Sequence, residues 1–296
     1  MRIRASVILL ALIITPFVLF GGGNAEQNSK PIVMVSILPH AYFVDQIAGD
    51  LVDTAVLVGE GQNPHSYEPS PSQMAQLAKA SIWILSGTDF EHALKDKVSN
   101  LYPNLTIVDG TEGMVFRSLE EHDHEEEGEE DLIHDLNIDR HTWLGWEQSK
   151  VLVHNIADAL TTYLGLPEAV VNQRAEQFIA QIDKEFTSLK TGLTDLSGST
   201  VFVYHPSFGY FLDSFALHQE AVETGGKEPT AKDLALLIER AQAAKANVIF
   251  VQKQFPAASA EKVAQVVGAH VVALDPLAYD WLGNIRLMGN ALLESL

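Results

Sequence analysis

The sequence of 296 residues contains no cysteine. If the protein is exported, it therefore has no disulfides, and its core alone must stabilise it. Hydrophobic residues make up 47% of the chain, which supplies an ample core at this length. No cysteine is present to carry a lipid anchor either. We therefore expect a compartment that retains the protein, such as a bacterial periplasm.

Basic residues are also scarce. Lysine and arginine together number 19 against 39 aspartates and glutamates, which gives a formal net charge of −20. Such a surface repels nucleic acid and anionic lipid and attracts cations. The charge balance argues against a nucleic-acid partner, but it does not identify a specific cation.

Only one long hydrophobic run is present, over residues 5–20. Arg2 and Arg4 precede it and small residues follow it, which is the order of a secretory signal peptide. The alternative is an uncleaved membrane anchor, but the run is shorter than the roughly 20 residues that span a bilayer, and Pro16 interrupts it. We expect residues 1–25 to be removed and the mature protein to be periplasmic, with no membrane anchor.

Eight short apolar runs are typical of buried parallel strands. They begin near residues 31, 54, 81 and 106 in the first half and near 199, 219, 246 and 270 in the second. Helical periodicity separates them, for example after Ser70, where Gln73 is placed to close a capping box. This alternation predicts an α/β fold of two lobes, each a mostly parallel β-sheet flanked by helices.

The segment between the halves has a different pattern. After Pro167, apolar residues recur at helical spacing, which predicts one long backbone helix of more than about 25 residues joining the lobes. So stiff a linker predicts lobes that rock slightly and do not close widely. The predicted organisation is a signal peptide over 1–25, an N-terminal α/β lobe over 26–147, linking helices over 148–197 and a C-terminal α/β lobe over 198–296.

Three histidines and one aspartate fall where a ligand cleft should form. His205 and Asp275 end strands. His65 follows a strand on a proline-rich loop, and His141 lies just before the second half. Ligands of open α/β sheets bind beyond the carboxyl ends of the strands, so these residues can form a four-coordinate metal site in the cleft. Each also has a simpler interpretation: a solvated loop histidine, a histidine bonded to backbone, or an aspartate that starts a turn.

Five ordered motifs connect the chain to a known family. They are NPHSYEPSPSQ at 63–73, DRHTWLG at 139–145, YHPSFGYF at 204–211, TGGKEPTAKDL at 224–234 and ALDPL at 273–277. With them, the chain resembles the zinc and manganese substrate-binding proteins of bacterial metal ABC importers, the ZnuA/TroA-like proteins, over about residues 31–296. The resemblance implies two lobes joined by a long helix. It also implies the metal ligands, which are His65, His141, His205 and Asp275.

The resemblance also implies partners. It implies that the metal-loaded protein is recognised by a membrane permease, which a separate ATPase drives. Family members that take manganese are expected to have a glutamate where this chain has His205, and imidazole suits zinc better than manganese. We therefore expect Zn²⁺ as the transported ligand, with Mn²⁺ as the alternative, and a monomeric protein.

One position departs from the family, which usually has Asp-Pro before the second histidine. Here Asp139-Arg140 stands there, so a cation lies next to a predicted ligand in sequence. Arg140 either points to solvent, or pairs with the acidic surface, or points inward and weakens metal binding.

The acidic segment over residues 118–135 contains His122 and His124, with His134 near its end. Its charges repel one another, and we do not expect it to fold alone. Because zinc-type members of the family often carry a His-rich acidic insertion here, the resemblance implies an auxiliary metal site. The alternative is a solvated loop without a specific role. His40, which follows the first strand, is a further candidate for supporting a ligand by a hydrogen bond.

Three function classes remain. We expect a binding protein and not an enzyme, one that captures a divalent metal ion and delivers it for high-affinity uptake. A zinc hydrolase would need an open coordination position and a general base, and the sequence has no HExxH, GxSxG or P-loop pattern. A metal-binding adhesin is the third class, and the lack of a surface anchor argues against it.

Overall fold

The computed structural model describes residues 30–119, 138–221, 231–254 and 257–295. The expected signal peptide and the histidines His122, His124 and His134 lie outside the described residues. Within the described residues, no helix combines the length and the apolar character that crossing a membrane requires.

In the part of the chain that the structure describes, eight strands form two four-stranded parallel sheets, as the apolar runs predict. The first sheet contains β1 (Ile32–Ile37), β2 (Asp53–Val58), β3 (Ile82–Leu85) and β4 (Thr106–Asp109), in the order β2-β1-β3-β4. The second contains β5 (Thr200–Val203), β6 (His218–Ala221), β7 (Val248–Gln252) and β8 (His270–Leu274), in the order β6-β5-β7-β8. The prediction of two α/β lobes with parallel sheets is confirmed.

Helices cover and connect the sheets. In chain order they are α1 (Leu38–Ala48), α2 (Pro71–Leu77), α3 (Asp89–Leu101), α4 (Trp146–Leu164), α5 (Glu168–Gly192), α6 (Gly209–Asp213), α7 (Ala231–Ala243), α8 (Ala257–Val267) and α9 (Trp281–Ser295). The capping box predicted at Ser70 and Gln73 begins α2. The side chain of Gln73 also donates to the carbonyl of Leu57 at 2.6 Å, which ties α2 to the end of β2.

Helix α5 is the predicted backbone helix, and at 25 residues it is shorter than expected. It ends at Gly192, because glycine is a poor helix former and the next residues turn into a short 3₁₀ helix (Thr194–Leu196). The hydroxyl of Thr194 stabilises this end by donating to the carbonyl of Lys190 at 2.9 Å.

One continuous apolar core spans both sheets and the linking helices. At its centre, Phe178 of α5 packs edge-on against Phe43 of α1, with ring centroids 5.0 Å apart, and Trp281 of α9 lies 4.8 Å from the same ring. Two buried indole N–H groups add polar links at 2.8 Å, from Trp143 to the carbonyl of Pro276 and from Trp281 to the carbonyl of Trp143. Fully buried aromatic contacts of this kind favour a fixed relation between the lobes.

His40 lies at the start of α1 and is completely buried. Within the described part of the chain, neither of its ring nitrogens has a hydrogen-bond partner, so it supports none of the predicted ligands in this way. Burial lowers the pKa of His40 from 6.5 to about 3, because the protonated ring would lose its hydration.

The pKa of His40 predicts a pH dependence of stability. The unfolded chain takes up a proton at His40 below pH 6.5, whereas the folded chain does not until about pH 3. The stabilising effect is therefore complete above 6.5 and decreases as the pH falls through that value. Between pH 7 and 5, metal-free wild type should lose about 2 kcal/mol of unfolding free energy more than the His40→Leu variant does. Urea unfolding at the two pH values measures this, and equal losses in both proteins would contradict the assignment.

Candidate metal centre

His65 is presented by a rigid loop. It lies in a one-turn 3₁₀ helix (Pro64–Ser66), and the side-chain oxygen of Asn63 accepts a hydrogen bond from the backbone N–H of His65 at 3.0 Å. Tyr67 is buried and packs edge-on against Phe90 of α3, with ring centroids 5.0 Å apart. These contacts hold the loop while the imidazole of His65 stays partly exposed.

His141 is oriented by the buried Asp139. One oxygen of Asp139 accepts hydrogen bonds from the backbone N–H of His141 at 3.0 Å and from its Nδ1 at 2.8 Å, and the other accepts from Arg117 at 2.9 Å. Burial would raise the pKa of Asp139, but the bonds from His141 and Arg117 outweigh it and lower the pKa. A charged carboxylate that accepts from Nδ1 leaves Nε2 of the neutral ring unprotonated and ready to bind a metal.

Helix α6 of the C-terminal lobe locks this group in place. The hydroxyl of Tyr210 donates to the carbonyl of Asp139 at 2.8 Å and accepts from the backbone N–H of Arg117 at 2.9 Å. Arg117 also forms an ion pair with Asp213 at 2.9 Å. Gly209 leaves room for this arrangement, because a Cβ at that position would lie 1.7 Å from Nη1 of Arg117 and 2.8 Å from Oδ2 of Asp139.

His205 lies just beyond the end of β5 and is buried. The side chain of Gln252, the last residue of β7, accepts from the backbone N–H of His205 at 3.3 Å and donates to the carbonyl of the same residue. It also donates to the hydroxyl of Ser207 at 2.8 Å. The buried Gln252 therefore fixes the backbone that carries His205.

The three histidines converge across the cleft. One nitrogen from each of His65, His141 and His205 lies within 4.8 Å of the other two. Nε2 of His65 and Nε2 of His205 are 3.0 Å apart. Three nitrogens around one zinc ion at the usual bond length lie about 3.3 Å apart. The adjoining cavity is about 20 Å³, which suits a single ion or water.

Arg140 does not point into the cleft. Its Nε forms an ion pair with Asp89 Oδ1 at 2.8 Å, and its Nη1 donates to the carbonyl of Gly87 at 3.4 Å. The other oxygen of Asp89 lies 3.3 Å from Nδ1 of His65. That hydrogen bond is the main cause that lowers the pKa of Asp89. Of the three options for Arg140, the structure shows pairing with an acidic residue.

Asp275 lies at the end of β8, next to the cleft but outside the group of three histidines. Its Oδ1 accepts from Nε2 of Gln254 at 2.6 Å and from the backbone N–H of Leu277 at 3.0 Å. Within the described ranges its Oδ2 accepts no hydrogen bond, and Oε1 of Gln254 is buried without a partner. Among the described residues, the carboxylate is therefore hydrogen-bonded through Oδ1 alone.

The sequence reasoning did not identify Asp89, Arg117 or Gln252. Asp89 begins the helix after β3, and Gln252 ends β7, so the rule that places ligands at the carboxyl ends of parallel strands would have found both. For Arg117, which precedes the acidic segment, the sequence carries no comparable signal.

Comparisons with known proteins point to one family. The family model described as ZnuA, zinc-uptake complex component A, periplasmic, matches residues 33–294. The crystal structure of a ZnuA is 30% identical and superimposes with a TM-score of 0.82 over 90% of this chain and 99% of that chain. A ZnuA deletion mutant with zinc bound gives the same identity and TM-score over 90% of this chain and 98% of that one.

A curated relative is longer. The zinc-binding protein AdcA of Streptococcus pyogenes serotype M3 is 26% identical over 295 residues, which cover 93% of this chain and 56% of that protein. The chain thus spans little more than half the length of this relative.

A substitution at Gly209 tests whether this position must lack a side chain. Gly209→Ala should drive the guanidinium of Arg117 away from Asp139 and leave that buried carboxylate with fewer partners. We expect the metal-free protein to lose about 2 kcal/mol of unfolding free energy in urea, although alanine is the better helix former. Gly192→Ala is the matched control, since its nearest contact, with Leu293, is an ordinary 3.5 Å and its stability should not fall. Equal stabilities of the two variants would contradict this role of Gly209.

Proposed function

The chain belongs to the ZnuA family of periplasmic zinc-uptake components, and on that basis we propose that it captures a divalent metal ion, zinc above all, and delivers it to an ABC permease. The observation that carries this proposal is the convergence of His65, His141 and His205 within 4.8 Å of one another. A cluster of three imidazoles around a small cavity is a ligand set that zinc commonly takes.

The proposed ligands are His65, His141, His205 and Asp275. Asp275 would complete the set with its Oδ2, because its Oδ1 is already held by Gln254 and Leu277. Four protein ligands complete a tetrahedral shell, as is typical of closed zinc sites.

The ligand set favours zinc over manganese. Imidazole suits zinc, whereas manganese prefers oxygen ligands, and only Asp275 supplies one here. Manganese also stands at the weak end of the general affinity order for divalent metals. Binding of Mn²⁺ is the second candidate function, and it would be weaker.

Capture and release would proceed with small motions of the lobes. The continuous core and the buried aromatic contacts of Phe178 and Trp281 keep the lobes close to one arrangement. Metal binding would then shift the protein toward the fully coordinated arrangement. The shift is limited by how much more tightly the metal binds that arrangement than the others. The permease would recognise this state, and a separate ATPase would drive transport.

This proposal describes a binding protein and not an enzyme. A zinc hydrolase needs an open coordination position for water, which a complete shell of four protein ligands does not provide. Transport requires no turnover, so zinc-loaded protein should be inactive in a hydrolase screen. Residues 1–25 would direct the chain to the periplasm, where the mature protein would act as a monomer. The segment 118–135 would hold zinc only weakly, through His122, His124 and His134.

The role of His205 can be tested by calorimetry of thermal unfolding. At a thousandfold excess of zinc over its Kd, wild type should gain about 4 kcal/mol of stability. His205→Ala should lose most of that gain, because one of four ligands is missing. His270→Ala is the control, since His270 is exposed at the amino end of strand β8, whereas the cleft lies beyond the carboxyl ends of the strands. An unchanged zinc-dependent shift in His205→Ala would contradict the ligand assignment.

Competition between metals tests the choice of ion. Zinc should displace manganese from the purified protein and bind tighter by orders of magnitude, because three of the four ligands are imidazoles. Titration of manganese-loaded protein with zinc measures the ratio directly. Comparable affinities would show that the ligand at position 205 does not determine the preference.

A further inference from the structure

Two of the three histidines each contact a carboxylate that is paired with an arginine. Asp139 and Arg117 stand behind His141, and Asp89 and Arg140 stand behind His65. In the first group, the side chain of Asp139 is fully buried, and Asp139 belongs to the motif that contains His141. The second crosses between elements, because Asp89 begins α3 whereas Arg140 belongs to the loop before α4.

We propose that Asp89, held by Arg140, is a positioning residue that fixes the ring of His65 with its Nε2 facing the other two histidines. This rests on the proposed function, since positioning matters here for metal capture. Asp89 accepts the proton of Nδ1 of His65, so the neutral ring is bare at Nε2. Nε2 of His205, 3.0 Å away, then donates to it until a metal replaces that proton.

Arg140 is needed because Asp89 is not confined by burial. The side chain of Asp89 is 57% exposed, so without a partner it would leave the orientation that meets His65. Arg140 is only 17% exposed and holds Asp89 at 2.8 Å while it donates to the backbone of Gly87. Arg140 therefore restrains the carboxylate through Oδ1, the oxygen that does not face His65 Nδ1.

The same pair couples two ligand loops. Arg140 directly precedes His141 in the chain, and Asp89 contacts His65, so the ion pair links the loop of one ligand to the imidazole of the other. This gives a role to the departure from the family pattern at position 140. The loops of His65 and His141 are held together before metal arrives, which lowers the ordering cost of binding.

Four variants test the proposal. Asp89→Ala removes the acceptor, and Asp96→Ala is its control, since it removes one carboxylate from the exposed face of the same helix without contacting a histidine. Arg140→Met removes the clamp, and Arg140→Lys restores its charge. Two quantities are measured: the tautomer of His65 in metal-free protein by long-range ¹H–¹⁵N NMR, and the Kd for Zn²⁺ by competition with a chelator.

In wild type, His65 should carry its proton on Nδ1. In Asp89→Ala a measurable fraction of that proton should move to Nε2, and zinc should bind about 10-fold more weakly, at the low end of the range for such outer groups because Asp89 is exposed. Arg140→Met should weaken zinc binding less, and Arg140→Lys should recover most of the loss. Asp96→Ala should change neither quantity.

A wild-type His65 protonated on Nε2, or equal losses of affinity in Asp89→Ala and Asp96→Ala, would overturn the proposal. Failure of the wild type to bind zinc would instead overturn the proposed function. The tautomer measurement needs no metal, so it decides the positioning role in either case.

Discussion

Metal binding at this site depends on bringing three imidazole nitrogens to one point, each of them without a proton once the metal is bound. Two of these nitrogens, on His65 and His205, are 3.0 Å apart, so a second proton between them would be strongly repelled. A charged carboxylate that accepts from Nδ1 solves this problem for a neutral ring, because it directs the bare nitrogen inward. For His141 the cost of burying the charge of Asp139 is offset by Arg117. Much of the surrounding structure serves this arrangement.

The fixed relation of the lobes is the second condition. Because the core is continuous and aromatic rings from α1, α5 and α9 pack together, the spacing of the histidines is set before a metal arrives. Tyr210 adds a polar link from the C-terminal lobe to the backbone of Asp139. A preformed cluster loses little conformational entropy on binding, which favours tight capture.

Much of this was predictable from the sequence. The apolar runs located all eight strands of the described residues, since buried parallel strands need apolar residues on both faces. The rule that ligands lie at the carboxyl ends of such strands placed His205 and Asp275 at one cleft, with His65 and His141 able to reach it. The length of α5 was overestimated, because apolar spacing continues past Gly192 while the backbone turns there. Periodicity reports which face is buried and not where a helix stops.

Side-chain directions were not predictable in the same way. Arg140 pairs with Asp89, which is distant in sequence, and that choice depends on how two loops pack in space. The hydrogen bond from Gln254 to Asp275 likewise joins the ends of two strands. Ligation by Asp275 and the domain boundaries remain predictions.

The central claim is that three imidazoles and one carboxylate hold a single zinc ion between the lobes. X-ray absorption at the zinc edge of protein loaded with one equivalent tests it most directly. The account predicts four nitrogen or oxygen neighbours at about 2.0–2.1 Å, with the multiple-scattering pattern of three imidazoles. A spectrum with fewer than three imidazoles, or with six oxygen neighbours, would contradict it.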